Sequence, residues 1–211
     1  MTIPPDHDDH YQTLLSLCTS HDGVVALLQH YRPYLETIPS LRRPQDSMVI
    51  LPLPNVRLSV TTEARTGGKG AMVNLPCDLA VVMCDPEWKI TMETEILVFI
   101  HRPPEDFSQL LGRWRQTQIL LDQSYEWIMP HRYQHLIGTG SGRAYPLFVV
   151  FPETPSRIAR GLGGAGLPTI RYPFTLTRLE PQADPEDQSW QDLVDNQDSD
   201  LKELTEGSSD G

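Results

Sequence analysis

Long hydrophobic runs are missing from this chain: no stretch reaches the roughly 18 apolar residues a membrane-spanning helix needs, so no spanning segment is expected. The opening MTIPPDHDDH has neither a basic nor an apolar region, and no secretory leader is expected. Cysteine is scarce. Cys18, Cys77 and Cys84 form no CxxC pair, which argues for reduced thiols and a cytoplasmic protein. Two glycine-rich stretches, GTGSGR (138–143) and GLGGAG (161–166), lack the GxxxxGK[ST] pattern of a phosphate-cradling loop and read as a hinge and a helix C-cap. Ser16, Ser108 and Ser141 sit in no nucleophile-elbow pattern, and Cys18 has no base nearby in sequence. No internal repeat is visible. Apolar residues make up 39%, and the 14 glycines bring the share to the ordinary level, so the 211 residues can build a core and global disorder is excluded.

Charge is unevenly placed. Of the formal −11, residues 181–211 carry −9 through ten Asp or Glu against Lys202, which leaves −2 for residues 1–180. The body is nearly neutral, so the overall acidity does not exclude a nucleic-acid partner. The composition of 181–211 predicts a disordered acidic tail. Its apolar island, Trp190, Leu193 and Val194, has the spacing of a short helix face and the character of a motif that docks onto a protein partner.

Residues 1–180 read as one domain. The pattern predicts one or two helices over 10–37, with Asp8 and Asp9 at the start and Ser20 or Asp22 capping a second turn. Strands are expected at 48–53, 56–62, 75–83 and 88–100, with 65–71 a flexible loop and 84–87 a turn. A long helix follows at 106–128, then a loop and a buried strand at 145–151. A short helix at 152–163, with Thr154 as its cap, leads to a last strand near 169–172. The expected fold is α/β (α+β): a mixed, mainly antiparallel sheet of about 4–6 strands, α-β-β-β-α-β in core order, with helices packed on it.

That order, over roughly residues 10–172, resembles the core of the PD-(D/E)XK nuclease-like fold. FSQLLGRWRQTQ and YPLFVVFPETPSRIARGLG are similar to the later part of nuclease-like proteins of mobile elements. The resemblance implies an acid on the second core strand and an acid-x-Lys on the third, together holding Mg²⁺ for phosphodiester hydrolysis. Asp78 follows Pro76-Cys77 in the second strand, and Glu93 and Glu95 lie on the third, on one face with Lys89 and Thr91. A short hairpin would set Asp78 opposite Glu93 or Glu95, which needs a cation between them. Asp78, Glu93 and Glu95 are therefore the expected metal ligands and, with Lys89, the catalytic candidates. The pattern departs from the family in one respect: Glu95 is followed two residues on by Leu97, and Glu87-Trp88-Lys89 falls in the expected turn. The cation would then come from Arg113 or Arg115, or the fold serves as an inactive binding scaffold.

A basic surface is the other candidate. Arg113, Arg115 and Gln116 on the long helix, with Arg157 and Arg160 on the short one, suit phosphate and base-edge contacts to nucleic acid. His7 and His10, among Asp6, Asp8 and Asp9, read as a mobile helix start, and His131 and His135 as loop residues. The sequence thus supports a nuclease-like, nucleic-acid-associated protein. Its alternative is a non-enzymatic adaptor that uses the domain as scaffold and the Trp190 tail as docking motif.

Overall fold

The computed structural model describes residues 6–58, 70–87, 91–133, 140 and 143–173, with the side chains of 91–93 and 132 set aside. The tail beyond 173, with Trp190, Leu193 and Val194, lies outside the described residues, as do Lys89 and His135.

Three helices open the chain: α1 (His7–Leu17), α2 (His21–Leu28) and α3 (Arg32–Leu35). Asp6 caps α1 in a reciprocal box with Asp9, two residues ahead of the first expected acid, and Ser20 caps α2. Strand β1 (Met48–Pro52) ends at a Pro-Leu-Pro turn, in which Leu53 takes a positive φ of 44°. The chain then leaves for a second sheet. β2 (Asn55–Leu58), β3 (Met72–Asn74) and β6 (Tyr125–Trp127) form this small antiparallel sheet in the order β3-β2-β6. β4 (Leu79–Cys84), β5 (Thr91–Ile100), β7 (Ala144–Val150) and β8 (Thr169–Arg171) join β1 in the main sheet, order β1-β4-β5-β7-β8. β1, β4 and β5 pair antiparallel, and β5, β7 and β8 parallel. The parallel crossovers run through α4 (Phe107–Leu121) and α5 (Ser156–Gly164). The α+β class, the mixed sheet and the α-β-β-β-α-β core order are therefore those expected.

Side-chain alternation divides the main sheet between two cores. Ile50, Val81, Ile96, Val98, Leu147 and Val149 face α1, α2 and α3. Leu51, Val82, Leu97, Phe99 and Phe148 face α4, α5 and the small sheet. The three cysteines are buried and unpaired, and burial pushes Cys18 and Cys84 up to about 12, which makes them packing residues.

Four expectations need correction. The second sheet departs from the expectation: within the expected 56–62 strand, the described residues to Leu58 pair with β3 and β6, and β3 begins just after the expected loop. The long helix ends at Leu121, and 125–127 is strand, because Tyr125 and Trp127 alternate inward with Glu126 outward. Asp78 precedes β4 rather than lying inside it. Thr154 does not cap α5, whose N-cap is Pro155 without a side-chain bond; the Thr154 hydroxyl accepts instead from the Phe151 amide at 2.9 Å.

Candidate functional site

The expected facing of carboxylates depends on the β4–β5 register. Leu79 pairs with Val98 and Val82 with Glu95, and beyond an irregularity Cys84 pairs with Thr91. The link between Cys84 and Thr91 is longer than a tight hairpin turn, so the pairing slides away from both expected registers. The Asp78 amide donates to the Val98 carbonyl at 2.9 Å, which sets Asp78 beside Phe99. Glu95 lies four residues from Phe99, about 13 Å along the strand at about 3.3 Å per residue. The two carboxylates are not brought together. Glu93 lies in β5 on the far side of Glu95 from Phe99.

Each carboxylate is instead a bridge between layers. Asp78 is fully buried at the rim where β4 starts and β5 ends. Its Oδ1 accepts from the Tyr11 hydroxyl of α1 (3.0 Å) and from Arg102 Nη2 (2.8 Å). Its Oδ2 accepts from the Ile100 amide (2.7 Å) and from Arg113 Nη2 (2.5 Å). Arg113 reaches this point from the second turn of α4. Its Nε donates to the Pro76 carbonyl at 2.8 Å, and its Nη1 to the Ile100 carbonyl at 3.1 Å and to Glu105 Oε2 at 3.2 Å. Arg113 is therefore a buried clamp and not part of a nucleic-acid surface, a correction to the sequence reading. Arg102 is half exposed, and Asp78 holds its guanidinium charged, with a pKa raised above its ordinary value despite partial burial. The local cause of this rim is legible: Pro103 and Pro104 have no N–H to extend β5, and Asp106 restarts the chain as the α4 cap in a box with Gln109.

Glu95 is equally buried, on the face covered by the small sheet. It accepts from the Tyr125 hydroxyl and, at 3.0 Å, from the Trp127 indole N–H, and so ties β5 to β6. Among the described residues no group of three His, Cys, Asp or Glu is gathered to hold a metal ion. All the oxygens of Asp78 and Glu95 take protein donors, so as arranged these two residues do not fit a shared Mg²⁺ site.

Around the same rim lie residues the sequence reading assigned no role or treated as mobile. His7 and His10 are docked on the sheet, on His101 and Glu153 respectively. His101 also meets Thr154. A signal existed: His7, His10 and Tyr11 share one face of α1, and His101-Arg102 directly follow the longest strand, at the carboxyl ends of parallel β5 and β7, where α/β sheets place their sites. The remaining basic candidates are on the surface. Arg115 and Gln116 are exposed on α4 with Ile119, and Arg157 and Arg160 are exposed on α5. The two helices meet closely at Phe107 and Gly161, where an added Cβ would come within 2.9 Å of the Phe107 ring. His131 is exposed in a short 3-10 turn.

The molecule is thus an α+β protein whose two buried carboxylates join its layers. Compared with protein-family models, curated proteins and solved structures, the chain matches none. No helix among the described residues is long and apolar enough to cross a membrane.

Proposed function

We propose that this chain is a non-enzymatic scaffold with a nuclease-like arrangement of elements, in which the acid a hydrolase would give to a metal is used to hold the layers together. The observation that carries this reading is the saturation of Asp78 by four donors, two of them guanidinium groups. A carboxylate paired this way is already neutralised, and freeing it for Mg²⁺ would leave the buried Arg113 with Glu105 alone as counter-charge. The partner surface in this reading is the outer side of α4 and α5, where Arg115, Gln116, Arg157 and Arg160 suit nucleic-acid phosphates. Trp190, Leu193 and Val194 would serve as the docking peptide for a protein partner.

Single- and double-stranded DNA and RNA, incubated with Mg²⁺ or Mn²⁺ at low salt, test it. The expected result is binding without cleavage, weakened by added salt and by the combined change Arg115→Glu, Arg157→Glu and Arg160→Glu. Metal-dependent cleavage that Asp78→Ala abolishes would overturn the scaffold reading in favour of a Mg²⁺-dependent nuclease. Failure to bind any nucleic acid would leave the Trp190 segment as the scaffold's route to a partner, checked by pull-down with Trp190→Ala.

A further inference from the structure

Helix α1 is fastened to the sheet in two ways. Its C-terminal half is apolar: Leu14 and the following Cys18 are buried, with Leu15 and Leu17 packed beside them. Its N-terminal half is polar, and three side chains reach three different segments. His7 Nε2 lies 3.0 Å from the His101 carbonyl oxygen, and its ring stacks on the His101 ring at 4.9 Å. His10 Nδ1 lies 3.1 Å from Glu153 Oε2, and Tyr11 donates to Asp78.

The hydrogen positions on His101 follow from its partners. Its Nε2 is 2.9 Å from the Glu105 carbonyl oxygen, which can only accept, so Nε2 carries the hydrogen. Nδ1 is left as the acceptor, 3.1 Å from the Thr154 hydroxyl and 3.2 Å from His7 Nε2. His7 Nε2 also carries a hydrogen, because it faces the His101 carbonyl. A second proton, on Nδ1, could turn to the Thr154 oxygen, which already accepts from the Phe151 amide, but it would still set the His7 N–H against an N–H between two stacked rings. The surrounding charges give no relief. Arg102 and Arg113 stand on the β5 and α4 sides, and the acids there, Asp78 and Glu105, are already engaged by them. Glu153, on the β7 side, is taken by His10, and on α1 itself Asp6 and Asp9 are occupied in the cap. Phe151 meets His7 edge-on and Tyr172 meets His10, both as neutral rings.

We propose that the N-terminal half of α1 is an acid-released cover over the Asp78–Arg102 rim: a proton on His101 displaces His7 and weakens the hold of Tyr11 on Asp78. The direction follows from linkage. Burial, helped by His7 and Arg113, draws the His101 pKa below its ordinary 6.5, so the docked helix binds fewer protons than the released one. Docking is at full strength above pH 6.5 and weakens as pH falls below it. The His10–Glu153 contact pulls the other way. Glu153 keeps its charge into stronger acid, its pKa being lowered by its own backbone amide and by His10. That tether limits the opening in mild acid to loosening rather than loss of the helix.

Hydrogen exchange of the full chain at pH 7.5 and 5.5, corrected for the intrinsic pH dependence of exchange, reads this out. Amides of α1 should open more readily at pH 5.5 than at pH 7.5, by up to about tenfold, the limit linkage sets for one histidine between those values. His101→Gln keeps a donor for the Glu105 carbonyl and should flatten the dependence. His7→Gln keeps the donor to the His101 carbonyl, removes the opposing ring, and should reduce it even if the first variant fails to fold. An α1 protection ratio equal at both pH values in the wild type would overturn the proposal. So would an undiminished pH response in both variants, or in His7→Gln alone should His101→Gln not fold.

Discussion

Asp78 and Glu95 are the same kind of group in different company. Both are fully buried and both tie one layer to another. Asp78 sits at the rim among charged partners, with two guanidinium groups, a peptide N–H and a tyrosine hydroxyl. Glu95 sits against the small sheet with a tyrosine hydroxyl and an indole N–H as donors. The difference lies in what is left behind when the carboxylate goes. Removing Asp78 leaves the buried Arg113 with only the longer Glu105 pair, whereas removing Glu95 strands neutral donors, and the first is costlier in a poorly solvated place.

That contrast orders the expected effects. Asp78→Ala should cost about 3–5 kcal/mol, because Arg113 is almost wholly buried and loses its main counter-charge. Chemical denaturation checks it, and a cost below about 1 kcal/mol would remove the distinction between the two sites. Glu95→Ala should cost about 2 kcal/mol through the stranded Tyr125 and Trp127 donors, and Glu95→Gln less, since an amide oxygen still accepts. The same denaturation curves decide whether the two sites differ. Lowering pH from 7.5 to 5.5 should loosen α1 through His101, which hydrogen exchange of the α1 amides checks. Smallest of all, Arg115→Glu, Arg157→Glu and Arg160→Glu should each leave stability within about 0.5 kcal/mol, since all three lie on the surface, while lowering any nucleic-acid affinity.

The sequence made the main sheet legible through patterns that operate locally. The apolar run of β7, the long β5 and the periodic face of α4 each declare themselves within a dozen residues. The second sheet was not legible, because β2, β3 and β6 are only three or four residues long and pair across gaps of the chain that no local pattern records. The same limit applies to the site. Asp78 and Arg113 stand out as chemistry-bearing residues, but whether a carboxylate faces a second acid or an arginine depends on a slide of the β4–β5 register. Tyr11, Arg102 and His101 were missed because their roles arise only where the N-terminal helix meets the strand ends.

The account turns on Asp78 being spent on arginines and not available to a cation. Thermal unfolding with and without about 10 mM Mn²⁺, for the wild type and Asp78→Asn, tests that directly, because any ion bound to the native state alone must raise the melting temperature. The expected result is a midpoint that Mn²⁺ leaves unchanged in both proteins, with Asp78→Asn lower by the same amount in either condition. A rise of several degrees in the wild type that Asp78→Asn abolishes would contradict it.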